Sequence, residues 1–182
     1  DLKVPGRHNV DNALAAFAAA KVFEIDNKFI KEGLENYGGT DRRFQYKGNF
    51  NGITVIDDYA HHPTEVKATL SAAKNIEKNK LWCIFQPHTY SRTYNLLDEF
   101  SEAFDDADKI VVADIYAARE KDTGLINSSV LVERIKQRGG DAVYVGGFDE
   151  IKEYIRQNCS EGDLLITMGA GDVYLIGEDL VK

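Results

Sequence analysis

The stretch Ile53-Thr54-Val55-Ile56-Asp57-Asp58-Tyr59-Ala60-His61-His62-Pro63-Thr64-Glu65 joins an apolar run, a polar cluster and a helix start. A short β-branched run followed directly by charged residues reads as a strand leaving the core. Pro63 reads as the first residue of a helix, whose apolar stripe is Val66, Leu70 and Ala73. Two adjacent carboxylates and two adjacent imidazoles therefore stand on a strand-to-helix loop. In open α/β sheets that edge is where ligands bind.

Working outward, Arg43–Asn49 reads as a strand hairpinned to Ile53–Asp57 through Asn51-Gly52. Beyond the helix, apolar runs alternate with helical stripes. Leu81–Phe85, Ile110–Ala113, Ala142–Val145 and Leu164–Met168 read as strands. Between them Leu96, Leu97, Phe100 and Phe104 make one helical face. Leu131, Val132 and Ile135 mark a helix capped by Ser128, and Ile151, Tyr154 and Ile155 another. Val173–Leu180 reads as a final helix. Continuous apolar strands between amphipathic helices predict an α/β fold: a mostly parallel sheet with helices on both faces and one antiparallel edge strand. Upstream, residues 8–24 and Lys28–Tyr37 read as two helices, with Val10, Leu14 and Phe17 on one face of the first. Gly38-Gly39 then breaks the chain, dividing 1–39 from 40–182.

The chain has 182 residues and a formal net charge of −8, with 43% hydrophobic residues. That balance suits a soluble domain and argues against a nucleic-acid surface, which carries a basic stripe. Cys83 sits in an apolar run far from Cys159, so a metal or disulfide framework is not indicated. No run is long enough to span a bilayer, and no signal peptide is present, so a cytoplasmic protein without a membrane partner is expected. The start at Asp1 reads as the interior of a longer polypeptide.

Parallel strands send their C-terminal loops to one edge. That edge collects Asp57–His62, Gln86–Thr93, Asp114–Asp122 and Gly169-Ala170-Gly171-Asp172. A carboxylate there binds ribose hydroxyls or caps a helix; Asp58 is the candidate for ribose, with Asp57 turned toward the sheet. His61 is a candidate polar contact to substrate, and His62, before Pro63, packs or caps. Zinc held by His61, His62 and Glu65 is disfavoured, because adjacent side chains point apart. Arg92 and Arg119 are candidates to clamp a carboxylate or phosphate. The Gly169–Gly171 turn suits either phosphate or close packing. Among His8, Asn9 and Asn12 one amide caps the first helix, leaving another to read a base edge. Arg42-Arg43 meets phosphate or solvent.

Several motifs occur in one order. They are Gly6-Arg7-His8-Asn9 with Asn12, Ala15 and Ala16; Arg42-Arg43-Phe44; Asp57–Glu65; and Phe85-Gln86-Pro87-His88 with Tyr90-Ser91-Arg92-Thr93. Asp114–Glu120 and Gly169–Asp172 follow. In this the chain resembles the Mur ligases of peptidoglycan synthesis, and within them the members that join L-alanine to UDP-N-acetylmuramate. The resemblance implies an ATP-dependent acid–amino-acid ligase of three domains, acting through an acyl phosphate. This chain would be the helical tail of the central ATP-binding domain (1–39) and the whole Rossmann-like C-terminal domain (40–182). No Gly-x-x-x-x-Gly-Lys-Ser/Thr occurs here, so the phosphate cradle and most Mg2+ ligands are expected in the missing N-terminal and central domains. The isolated piece is expected to be inactive.

The resemblance also implies roles. His8, Asn9 and Asn12 would meet adenine, Arg43 the ATP phosphates and Asp58 the ribose. Tyr59, His61, His88 and Arg92 would surround the incoming L-alanine and the acyl group, with His61, His88 and Arg92 catalytic. Many relatives carry arginine where Thr89 stands, so Arg92 would act with His88 or Arg119. The alternatives are a tripeptide-recycling ligase of the same family, a non-catalytic nucleotide-binding module and a metal-dependent hydrolase.

Overall fold

The computed structural model describes residues 1–4 and 6–182; Pro5 and the side chain of His8 lie outside the described residues, and with them the adenine contact expected of His8. Strands β1 (Gln45–Phe50), β2 (Ile53–Asp58), β3 (Leu81–Phe85), β4 (Lys109–Val112), β5 (Ala142–Tyr144) and β6 (Leu164–Met168) form one sheet. Its order is β1-β2-β6-β3-β4-β5. Only the β1–β2 pair is antiparallel among the described strands. Their hairpin turns through Asn51 at φ 49° and Gly52 at φ 80°, the pair of left-handed residues that a type I′ turn requires.

Strand ends align across the sheet. Asp58 pairs with Met168, Met168 with Phe85, and Phe85 with Val112. Because β6 lies between β2 and β3, the Gly169 turn falls between the loop that follows Asp58 and the loop that carries His88.

Side chains alternate along the buried strands. Leu81, Cys83 and Phe85 face one layer with Val66 and Leu70 of α3 (Pro63–Lys74), Phe100 of α5 (Leu97–Glu102) and Leu131 and Ile135 of α6 (Ser128–Gln137). Trp82 and Ile84 face the other, with Ile151 and Ile155 of α7 (Phe148–Asn158) and Ile176 and Leu180 of α8 (Tyr174–Leu180). Water is excluded from both faces, which is why these strands read as continuous apolar runs. Among the described residues no helix is long and apolar enough to cross a membrane.

Three expectations are corrected. Among the described residues no asparagine caps the first helix: its N-cap is Gly6, with no side-chain cap bond, and Asn9 and Asn12 lie inside it. The face from Leu96 to Phe104 is not one helix: α4 (Tyr90–Asn95) and α5 are separated by Leu96, whose φ of −115° and ψ of 27° break the helical run. Phe104 lies past α5, where its ring packs 5.1 Å from Phe85. The cap of α6 is Asn127, whose side chain accepts from Val130 N; Ser128 is buried and donates instead to Ala113 O at 2.6 Å.

Helices α1 (Arg7–Val22) and α2 (Asn27–Asn36) precede the sheet. Their apolar side chains are largely uncovered: Leu14, Val22, Phe23 and Phe29 are all exposed.

Phe85 touches Phe100 and Phe104 and has no solvent contact. Phe85→Ala should lower the free energy of unfolding in urea by about 3–5 kcal/mol, the usual cost of emptying a buried aromatic site.

Candidate functional site

The edge is built on a buried carboxylate. Asp57 is wholly enclosed; it accepts from the Thr167 hydroxyl at 2.7 Å and from Arg42 Nε at 3.0 Å. Burial pushes this carboxyl up, and the Thr167 and Arg42 bonds offset part of the shift. Arg42 Nη2 donates to Gly169 O at 2.6 Å. The guanidinium also lies 4.8 Å from the Tyr59 ring centre and 4.5 Å from that of Tyr174, so it is stacked as well as paired. Arg42 is therefore consumed by the scaffold, and only Arg43 of the pair is turned toward a ligand space.

That space is a cleft of about 490 Å³ between the α1–α2 segment and α3. Asn9, Asn12, Tyr37, Arg43, Asp58 and Glu65 are among its lining residues. The cleft thus gathers every nucleotide-binding candidate whose side chain is described. Asp58 accepts from Phe44 N and Ala60 N, each at 2.8 Å, and from the Thr69 hydroxyl. Its burial raises the carboxyl above the ordinary range despite those donors. A carboxylate offers about four acceptor positions. Three are used, so Asp58 has room for one ribose hydroxyl bond rather than the two that a free strand-end carboxylate offers.

Beside the cleft stands the imidazole cluster. The Tyr59 and His61 rings meet edge-on at 5.3 Å, His61 and His88 at 5.8 Å, and His88 stacks on Tyr116 at 5.5 Å and 14°. Arg92 Nη1 donates to His88 O at 2.9 Å and approaches His88 Nδ1 at 3.4 Å. Nη1 is thus engaged by His88. The Nε–Nη2 edge, the fork that matches a carboxylate, meets no partner among the described residues. Burial, then the Arg92 charge and His61, hold the His88 imidazole below its ordinary value.

Arg119 does not join this group. It is exposed, and no contact ties it to His61, His88 or Arg92 among the described residues. Its neighbour Glu120 acts instead, accepting from Thr89 Oγ1 at 2.7 Å, Ser91 N at 2.9 Å and the Ser91 hydroxyl. Those bonds fix the first turn of α4, and hence Arg92, and they employ the Thr89 hydroxyl. His62 caps α3, and Glu65 completes a capping box by accepting from the backbone of His61 and His62. The spacing from His62 to Glu65 was the available sign of that role.

The glycine turn serves packing. A side chain on Gly169, at φ 150°, would meet Gln86 O at 2.8 Å; one on Gly171 would strike the Gln86 side chain and the Tyr116 ring. Gln86 Oε1 in turn accepts from Val173 N at 3.2 Å. Among the described residues no cluster of three or more His, Cys, Asp and Glu is arranged to hold a metal.

A cleft of this size lies beside an imidazole–guanidinium cluster on the C-terminal edge of a mostly parallel sheet, the edge where open α/β domains bind ligands. The family described as "Mur ligase, glutamate ligase domain" matches residues 42–171, and the chain belongs to that family. It is 58% identical over 181 residues to the UDP-N-acetylmuramate–L-alanine ligase of Lachnospira eligens, covering all of this chain and 39% of that protein. It is 56% identical, with the same coverage, to the ligase of that name from Acetivibrio thermocellus. The crystal structure of UDP-N-acetylmuramate–alanine ligase from Thermotoga maritima superposes with a TM-score of 0.82 at 33% identity, covering 99% of this chain and 38% of that one. A murein peptide ligase from Psychrobacter arcticus gives a TM-score of 0.72 at 29% identity, covering 99% of this chain and 37% of that one. The chain spans about two fifths of the length of the curated relatives it matches.

The Ser91 and Thr89 bonds pull the Glu120 carboxyl from its ordinary 4.5 down to about 2. A depressed acid steadies the fold above its unfolded value and loses that contribution as pH falls through the folded one. A 13C titration of the Glu120 carboxyl should therefore show a midpoint near 2, and Ser91→Ala should return it toward 4.5.

Proposed function

We propose that these residues form the C-terminal part of a cytoplasmic ATP-dependent ligase that joins L-alanine to UDP-N-acetylmuramate in peptidoglycan synthesis. The observation that carries this reading is the adjacency of two unlike subsites on one sheet edge. The cleft of Asn12, Arg43 and Asp58 suits a nucleoside phosphate, and the cluster of His61, His88 and Arg92 suits an amino acid beside an acyl group. Glu65 belongs to both, lining the cleft and accepting from His61 N. The stronger likeness to alanine-adding ligases than to the murein peptide ligase favours L-alanine over a tripeptide.

The uncovered apolar side chains of α1 and α2 support the division at Gly38-Gly39. In this reading residues 1–39 pack against a central domain, and 40–182 form the mobile ligase domain. In this reading the phosphate cradle and most magnesium ligands belong to the central domain; no Gly-x-x-x-x-Gly-Lys-Ser/Thr occurs in this chain.

The reaction has two steps. The muramoyl carboxylate takes the γ-phosphoryl group of ATP, giving an acyl phosphate and ADP. The amine of L-alanine then forms a C–N bond to that carbonyl carbon, and the C–O bond to phosphate breaks with its electron pair leaving on phosphate. This chain's residues contribute positioning and charge. Asn12 and Asp58 hold the nucleoside, Arg43 faces its phosphates, and the Nε–Nη2 fork of Arg92 receives the alanine carboxylate. Closure of the edge over the acyl phosphate protects it from water.

In the ligase that contains this chain, Asn12→Ala should raise the KM for ATP about tenfold, corresponding to ~1.4 kcal/mol, with the KM for L-alanine unchanged. Arg92→Lys should do the reverse, raising the KM for L-alanine by about 10–100-fold because a bidentate pair is lost. Steady-state kinetics with each substrate varied checks both; loss of the same parameter in both variants would contradict the two-subsite reading. The 182 residues alone should release no phosphate from ATP when given L-alanine and UDP-N-acetylmuramate.

A further inference from the structure

We propose that the two facing imidazoles are locked in opposite tautomers, His61 as a proton acceptor and His88 as a hydrogen-bond donor, with Glu65 as the positioning residue that sets His61. The assignment deepens the ligase reading and rests on it for its catalytic half. The Tyr59 carbonyl can only accept, so its 2.9 Å contact with His61 Nδ1 places the proton on that nitrogen. Glu65 Oε2 lies 3.5 Å from the same nitrogen and favours the same form. His61 Nε2 then carries the lone pair. At His88 the logic inverts. A guanidinium can only donate, so the 3.4 Å approach of Arg92 Nη1 favours Nδ1 as an acceptor over donation from Nδ1 to the residue's own carbonyl. The His88 proton is therefore on Nε2.

Each tautomer suits one requirement of amide formation. An amino acid arrives as an ammonium ion and cannot attack until it loses a proton. One N–H proton passes to His61 Nε2, and the nitrogen keeps the electron pair that becomes the new C–N bond. The resulting imidazolium faces the Glu65 carboxylate. Burial raises that carboxyl, but the backbone N–H and charge of His61, with the His62 N–H, outweigh it and hold Glu65 below its ordinary value. His88 Nε2–H is a donor for the oxygen that gains negative charge at the acyl carbon. Neutral His88 is favoured by its burial and by Arg92.

The charged and titratable groups around the pair are few. His61 faces Glu65 from α3, Tyr59 from its own loop and His88 across the gap, with Arg42 and Arg43 beyond the Tyr59 ring. His88 faces Arg92 from α4, with Tyr116 and Glu120 from the loop after β4.

The test begins with long-range 1H–15N spectra of the 15N-histidine chain at neutral pH. The sequence has 4 histidines, each assignable from its His→Gln variant. The expected result is Nδ1–H at His61, the form a free imidazole side chain populates less, and Nε2–H at His88. The same tautomer at both, or the reverse pair, would overturn the proposal while leaving the ligase reading intact, because no substrate is present. In the ligase, His61→Gln should lower kcat by about 10²–10⁴-fold. Its residual rate should climb with pH as free amine replaces ammonium. Glu65→Gln should lower kcat by a smaller factor with the KM for L-alanine unchanged, and should weaken the Nδ1–H preference of His61. A His61→Gln rate that tracks the pH profile of the unmodified ligase would overturn the base assignment. Absence of any L-alanine-dependent turnover would overturn the ligase reading and the catalytic half together.

Discussion

A carboxylate sealed from water holds this edge together. Asp57 sits at the end of β2 with no solvent contact, and its charge is met by Arg42 on one side and Thr167 of β6 on the other. Leaving such a group unpaired costs several kcal/mol, so the guanidinium has little freedom to leave. Once held there, Arg42 fixes three further things. Its Nη2 ties Gly169, its face supports Tyr59, and its carbonyl accepts from Tyr59 N at 2.7 Å. The backbone on either side then sends Arg43 to the cleft and His61 to the imidazole cluster.

The division of the edge follows from strand order. With β6 between β2 and β3, the loops bearing Asp58 and His88 are separated by one strand, and the intervening Gly169–Gly171 turn must be thin. Glycine supplies that thinness, because any side chain at Gly171 would occupy the space of Gln86 and Tyr116. The His61 and His88 rings can then meet over the turn. Glu120 and Glu65 perform parallel tasks on the two sides. Each is a half-exposed carboxylate that accepts backbone N–H groups at a helix start and so orients a candidate side chain, Arg92 in one case and His61 in the other.

The sheet was legible in the sequence because its strands are buried on both faces, and a continuous apolar run with polar ends leaves few alternatives. The hairpin was legible from Asn51-Gly52. The interruption at Leu96 was not: the apolar spacing of Leu96, Leu97, Phe100 and Phe104 is that of one helix, and tertiary packing on Phe85 decides otherwise. Asp58, Asn12 and Arg43 were recognisable as nucleotide candidates through likeness to Mur ligases. Their convergence on one cleft depends on contacts across the chain that no local pattern carries. The partition of Arg42 from Arg43 was invisible for the same reason, since it is set by Asp57 fifteen positions away. Arg119 was favoured by its charge, yet the loop presents Glu120 to α4 and leaves Arg119 in solvent. A carboxylate that caps a helix from 29 residues away has no signature in spacing.

Kinetics of the Arg42→Met ligase test the central claim most directly, because the Arg42 guanidinium is engaged by Asp57, Gly169, Tyr59 and Tyr174 rather than offered to a ligand, yet is held to support both subsites. If the Asp57–Arg42 clamp positions Arg43 and the Tyr59–His61 segment together, the KM values for ATP and L-alanine should rise together, each by roughly tenfold or more, as for a misplacement of about 1 Å. A folded variant in which only one KM moves, or neither, would show that the two subsites are held independently.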